Sequence, residues 1–410
     1  MPDRLSPQAN RSSLLDALRG FALIGVLLAN LRMLSLYDLL PSAQKQALPT
    51  AAVDRVINEL MSMFVNGTSI TLFTLLFGVG FSLQMGKAKG SAPAMRTYLR
   101  RLLVLLVIGL AHAYLLWWGD ILRYYAVLGL LLIPLARLPA TVLVTVGGFV
   151  VLVAPLLLQP VIPNLLPTQI SSGESAARAL AAFSGEHLGA MLEGNLARDL
   201  RMRIAVWILP TYIFGRMLIG VALGNAGMLT HPLEHQSRWR RLWWGSLVGA
   251  LLITALVSTR RYDIVELPLG FLGEERERSL WRVLYNAAPL GLGVFYMASF
   301  VLLYVQSSRW RAVLQGPAPL GRMALTNYMA QSIVGVAIFY GVGLGVGPRF
   351  GAVGVLLAAL LILTAQAYGS RWWLARYRFG PMEWLWRSAS YGKWQPMTLG
   401  PQARGAGPDA

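Results

Sequence analysis

The chain has 410 residues, of which 56% are hydrophobic and only 13% charged, and its mean hydropathy is +0.54. About a quarter of a soluble chain is charged, so this composition excludes a water-soluble globule. Cysteine is absent, which removes disulfides, thiol catalysis and cysteine-held metals, and the four histidines (His112, His187, His231, His235) show no metal-ligand spacing.

The apolar residues fall in runs of roughly 17–25, the length a helix needs to cross a ~30 Å hydrocarbon core. They are too long and too poor in alternation for barrel strands. The expected fold is all-α, a polytopic transmembrane bundle with spans near 13–35, 62–85, 98–118, 121–137, 139–160, 204–224, 242–259, 283–305, 321–341 and 351–370. That makes about ten spans in one integral membrane domain: five within 13–160, an outer segment at 161–203, five within 204–370 and a tail at 371–410. Asp16 and Arg19 inside the first run mark it as a retained helix and not a signal peptide.

The formal net charge of +18 is one-sided. With the N-terminus inside, the inner segments hold 20 bases against four acids, and the outer segments hold 13 of each. Such asymmetry orients a membrane protein with both termini cytoplasmic; it does not read nucleic acid. The expected location is the bacterial cytoplasmic (inner) membrane, and the expected partner is the lipid bilayer.

In chain order, the first span carries the polar residues Asp16, Arg19 and Asn30. Asp16 and Arg19 are three apart and can pair, while Asn30 lies almost three turns beyond Arg19 on the same face. Ionisable and amide groups in lipid are costly unless paired or facing a cavity. The second span places Asn66, Thr68, Ser69, Thr71 and Thr74 in its outer half, where small hydroxylated residues mark close helix packing. In the third span His112 precedes Asp120 by about two turns, and the Gly119-Asp120 corner is expected to present Asp120 and Arg123 at the outer mouth. Histidine titrates near neutrality, which suits a general base.

Within 161–203, Leu180, Phe183, Met191 and Leu192 recur at helical spacing, as in an amphipathic helix lying on the outer surface. Glu274 to Arg278 reads as a solvated helix start. Gly220/Gly224 and Gly245/Gly249 are GxxxG pairs read as packing. The ninth span opens with Arg322, then Asn327 and Gln331 four apart on one face, as in an interhelical network or a polar vestibule. The tail mixes five tryptophans (Trp372, Trp373, Trp384, Trp386, Trp394) with arginines, the composition of an interfacial anchor.

Four ordered motifs, LLDALRGFALIGVLLAN, HAYLLWWGDIL, LGRMALTNYMAQS and FGPMEWLWRSASYGKWQPM, resemble the YeiB-like family of bacterial inner-membrane proteins, whose C-terminal half is the domain of unknown function 418. That resemblance implies a multi-span protein and no particular reaction. More distantly, the first span is similar to that of heparan-α-glucosaminide N-acetyltransferases, which have an aspartate, an arginine and an asparagine at the positions of Asp16, Arg19 and Asn30. Bacterial membrane O-acyltransferases share the aspartate and arginine and have histidine in place of Asn30. The glucosaminide enzymes also have a catalytic histidine about three turns further on, where this chain has Pro41.

The distant resemblance implies transfer of an acyl group from cytoplasmic acyl-CoA to a sugar, lipid or envelope acceptor. The expected catalytic set is His112 as base, Asn30 on the acyl carbonyl or oxyanion, and Asp120 orienting the histidine or the acceptor. The expected substrate contacts are Asp16, Arg19, Arg123, Arg322, Asn327 and Gln331. No bound cofactor and no metal are expected; acyl-CoA enters as a co-substrate. The alternative reading is a transporter or flippase whose solute path the same residues line, and a third is a non-catalytic scaffold. Nothing in the sequence sets an oligomeric state.

Overall fold

The computed structural model describes residues 7–88, 91–158, 172–205, 208–261 and 273–399. Among them the only β feature is an isolated bridge between Tyr377 and Thr398. The protein is an all-α membrane bundle. Six helical stretches are long and apolar enough to cross a bilayer: Ser13–Leu34, Ala51–Gly86, Ala92–Leu116, Gln236–Arg260, Arg276–Gln306 and Gly351–Leu374.

The chain opens with α1 (Pro7–Leu34), α2 (Ala51–Phe64), α3 (Thr68–Ala88), α4 (Ala92–Ala111), α5 (Leu122–Leu131) and α6 (Ala140–Leu152). Two helices outside the spans follow, α7 (Ser172–Ser184) and α8 (Leu188–Ala205), then α9 (Leu209–Asn225), α10 (Gln236–Arg261) and α11 (Glu274–Gln306). The chain ends with α12 (Ala318–Arg322), α13 (Ala324–Phe339), α14 (Gly351–Leu374) and α15 (Pro381–Tyr391).

Four of the ten apolar runs form helices shorter than expected. α5 has 10 residues and α6 has 13, and at ~1.5 Å per residue neither covers a ~30 Å core alone. α9 and α13 have 17 and 16 residues.

α9 is the central helix, buried from Tyr212 to Ala222 and packed against α3 and α6. The expected GxxxG pairs divide. A Cβ at Gly220 would sit 2.2 Å from the Leu75 carbonyl, and one at Gly224 would sit 2.6 Å from Ser82 Cβ, so this pair sets the α3–α9 approach. Gly245 and Gly249 have no other group within 4 Å of such a Cβ, so they do not bring a helix close. The hydroxyl stripe of α3 packs as expected: Thr68, Ser69, Thr71 and Thr74 are buried, and Thr74 bonds the Tyr125 hydroxyl at 2.9 Å.

The segment expected to lie on the outer surface does something different. Residues 161–171 lie outside the described residues. In α7 and α8, Phe183 and Met191 are buried in a cluster with Leu31, Trp117, Phe339 and Tyr340. The apolar face of the pair covers the end of the bundle, because the Trp117-Trp118 corner offers it an apolar protein surface to bury against.

α2 holds the start of α14. Asp54, fully buried, accepts the Val353 backbone N–H at 3.0 Å and the Thr50 hydroxyl at 2.8 Å. A carboxylate at a helix N-terminus satisfies an orphan donor and the helix dipole. Asp54→Ala is expected to cost about 1–2 kcal/mol, seen as a lower thermal unfolding midpoint in detergent; an unchanged midpoint would show that the cap contributes nothing.

Candidate active site

A cavity of about 510 Å³ lies between α1, α3, α4, α5 and α13. Arg19 and Asn30 both line it, as do Ile70 and Gln84. Eleven residues of α1 rise about 16 Å and fourteen of α3 about 21 Å. The cavity therefore runs along most of a ~30 Å hydrocarbon core. Its two ends differ in chemistry.

One end carries Arg19, Arg101 and Arg322, with Glu383 and Trp386 from α15. Arg19 pairs with Asp16 at 3.2 Å and keeps 34% of its side chain exposed, so this end is the accessible one. Arg101 lies over the Trp386 ring at 4.7 Å, and Trp386 Nε1 donates to the Arg101 carbonyl at 2.8 Å. The α15 helix of the tail thus folds back as a wall of the cavity, while Trp372 and Trp394 stay exposed. Glu383 makes no ion pair with these arginines. Burial pushes its carboxyl above the ordinary carboxylate range, opposed by hydrogen bonds from Thr326 and Leu325. Those bonds (Leu325 N–H at 2.6 Å, Thr326 N–H at 3.1 Å) commit it to capping α13. With Arg19 already paired to Asp16, Arg101 and Arg322 keep this end positive. Beyond them the waist is apolar, lined by Leu23, Phe77, Phe81, Leu105 and Tyr125.

The far end is built by the turn after α4. Its last residues, His112–Leu116, form a single π turn, closed by Trp117 N–H to the His112 carbonyl at 2.8 Å. Such turns in helices frequently mark functional sites. The backbone then extends through Trp117 and doubles back at Gly119-Asp120 into α5. Gly109 permits the return: a Cβ there would stand 2.7 Å from Arg123 N and 2.9 Å from Asp120 Oδ1.

Asp120 Oδ1 caps α5 by accepting the Arg123 N–H at 3.0 Å. Its Oδ2 is 3.0 Å from His112 Nδ1, and His112 Nε2 is 2.8 Å from Ser332 Oγ on α13. Arg123 pairs with Asp199 of α8, and its Nε stands 3.9 Å from Asp120. Asn195 of α8 accepts the Trp118 N–H at 3.2 Å. All of these side chains are buried, and Asp120, Arg123 and Asp199 also line the cavity. Trp117 also lines it, fully buried, with no hydrogen-bond partner for its Nε1–H.

The structure thus brings Asn30, Asp120, Arg123, Arg19 and Arg322 onto one cavity, at two depths. Asp120 and Arg123 are not at an open mouth, because α8 covers them. His112 is one layer behind, held by Asp120 and Ser332. Asp16 sits beside the wall, paired to Arg19. Asn327 and Gln331 do not reach the cavity: Asn327 donates to Ser370 at 3.0 Å, and Gln331 to Gln366 at 3.0 Å. They bind α13 to α14, which corrects their expected substrate contact. Sequence reasoning missed Arg101, Trp117, Asp199 and Ser332. Arg101 and Asp199 read as surface charge, and Ser332 carries no signal without its partner 220 positions away.

Residues 223–393 match the family model described as Protein of unknown function (DUF418). The chain is 32% identical to the Uncharacterized protein YxaH of Bacillus subtilis (strain 168), over 94% of this chain and 96% of that relative. It is 28% identical to the Uncharacterized protein YeiB of Escherichia coli (strain K12), over 92% and 95% respectively. It is 27% identical to the Uncharacterized 39.9 kDa protein in amylase 3'region of Bacillus acidopullulyticus, over 96% and 97%. No solved structure matches the chain.

Proposed function

We propose that this chain, which belongs to the YeiB-like DUF418 family, is a membrane acyltransferase of the bacterial inner membrane. It would move an acyl group from cytoplasmic acyl-CoA to a sugar, lipid or envelope acceptor. The observation that carries the reading is one cavity with an arginine end, an apolar waist and a far end built around an aspartate–histidine pair.

A thioester donor has complementary parts. Its phosphates suit Arg19, Arg101 and Arg322, planar donors that bind oxyanions in pairs of bonds. Its thin pantetheine arm and acyl group suit the apolar waist; the nucleotide would stay outside a cavity of about 510 Å³. The thioester carbonyl then lies near Asn30 and the unpartnered Trp117 N–H, fixed donors that stabilise a developing oxyanion. The Asp120–His112 pair supplies general-base chemistry in a water-poor site. The one-sided basic charge supports an arginine end on the cytoplasmic side, where acyl-CoA is made.

Purified protein is expected to release CoA from acetyl-CoA in the presence of a hydroxyl or amine acceptor. Absence of release with every sugar and lipid acceptor tried would contradict the reading. Arg322→Ala and Arg19→Ala are each expected to raise the KM for acetyl-CoA about tenfold, the effect of one lost charge-assisted hydrogen bond of ~1.5 kcal/mol, with kcat little changed. An unchanged KM in both would detach the arginine end from donor binding.

The length of the cavity favours a second reading, transport of a solute or flipping of a lipid-linked substrate. Counterflow in liposomes lacking acyl-CoA would select it.

A further inference from the structure

We propose that Ser332 is the nucleophile of a covalent acyl-transfer cycle, with His112 as its base and Asp120 orienting the histidine. This rests on the acyl-transfer reading of the site and deepens it.

Both nitrogens of His112 are engaged, Nδ1 by Asp120 at 3.0 Å and Nε2 by Ser332 Oγ at 2.8 Å. The histidine therefore has no nitrogen to offer an acceptor in the cavity. The hydroxyl it is placed to deprotonate is the chain's own. Nucleophile, base and carboxylate in this order, each within hydrogen-bond reach of the next, is the arrangement that activates a serine. Three separate elements deliver it: the π turn, the Gly119-Asp120 corner and α13.

A purely structural network explains less. Ser332 has an ordinary helical alternative, the Tyr328 carbonyl at 3.5 Å, yet the shorter contact is to the imidazole. The nearby joint between α13 and α14 is made with amides and a hydroxyl (Asn327, Gln331, Gln366, Ser370) and uses no titratable group.

Asp120 and Tyr328 both line the cavity, and the Tyr328 ring stands 5.1 Å from the His112 ring, one turn before Ser332. Ser332 itself does not line the cavity, so the cycle requires Tyr328, one turn before it, to change rotamer and admit the thioester. The Trp117 N–H, unpartnered at the same end, is the donor awaiting the oxyanion.

In the first half, Ser332 Oγ attacks the thioester carbonyl and its proton passes to His112 Nε2. The tetrahedral intermediate collapses, the C–S bond breaks, and the thiolate takes that proton to leave as CoA-SH. In the second half, an acceptor hydroxyl or amine gives its proton to Nε2 and attacks the serine ester. The C–Oγ bond breaks and the proton returns to Ser332. No oxidant or reductant is needed.

The test uses full-length protein in detergent, with acetyl-CoA or an alkyl fluorophosphonate and no acceptor. The expected results are a burst of about one CoA per chain, and a single adduct on Ser332 by peptide mass spectrometry with either reagent. Ser332→Ala is expected to abolish both adducts and to lower steady-state CoA release at least about 100-fold. His112→Gln is expected to slow fluorophosphonate labelling of an intact Ser332 about as much, so the inference does not depend on how Ser332→Ala folds. CoA release at the wild-type rate by Ser332→Ala, or release without a burst and without any serine adduct, would overturn the inference and leave acyl transfer standing. A Ser332 fluorophosphonate adduct on a wild-type protein that releases no CoA would support the activated serine and overturn the donor assignment.

Discussion

Asp120→Asn is expected to lower CoA release on the order of 1,000- to 10,000-fold while leaving the KM for acetyl-CoA nearly unchanged. The amide is isosteric, and its oxygen still accepts the Arg123 N–H that Asp120 Oδ1 holds at 3.0 Å. Its NH2 group then faces His112 Nδ1 and donates to it. That places the imidazole proton on Nε2, the nitrogen 2.8 Å from Ser332 Oγ, and a protonated Nε2 cannot take a proton. The corner and its packing survive, so the variant is expected to be made and purified normally. A decrease of less than tenfold would mean that the Asp120–His112 bond only holds helices together.

Arg123→Leu is expected to destabilise the fold by about 3–5 kcal/mol, because removing one partner of a buried pair strands its opposite charge. Here two carboxylates depend on it. Arg123 bonds Asp199 from α8 and stands 3.9 Å from Asp120, and all three are buried. The leucine fills much of the volume and supplies no charge. The double variant Arg123→Leu/Asp199→Asn should recover part of the loss, giving a coupling free energy of about 1–3 kcal/mol in a double-mutant cycle. Thermal unfolding in one detergent reads all four proteins. Additive single effects would show that the pair does not fasten α8 to the bundle.

The membrane fold was legible because lipid leaves few solutions for the backbone: long apolar runs become helices. Boundaries were less legible. The third run ends early, since the π turn at His112 and the Gly119-Asp120 corner consume backbone that hydropathy counts as helix, and α5 stops at Leu131 because the run to Arg137 continues as turns around Pro134. The α7–α8 pair and Trp386 of the tail misled for one reason. Amphipathic segments bury their apolar face against lipid or against protein, and Phe183, Met191 and Trp386 do so against protein. In the site, Asp16, Arg19, Asn30, His112, Asp120, Arg123 and Arg322 stood out because ionisable and amide groups are expensive in a span. The same rule singled out Asn327 and Gln331, which satisfy each other's helices instead of a ligand. Ser332 was invisible, since a serine costs little in a helix and acquires meaning only from His112.

The central claim is that acyl groups cross from the arginine end of the cavity to its far end. The most direct measurement uses the protein reconstituted in one orientation in liposomes, with radiolabelled acetyl-CoA only on the side of the arginine end and a hydroxyl or amine acceptor only on the other. The expected result is label on the enclosed acceptor and free CoA on the donor side, in equal amounts and both lost in Asp120→Asn. Label that crosses still attached to CoA, or crosses without CoA release, would contradict it.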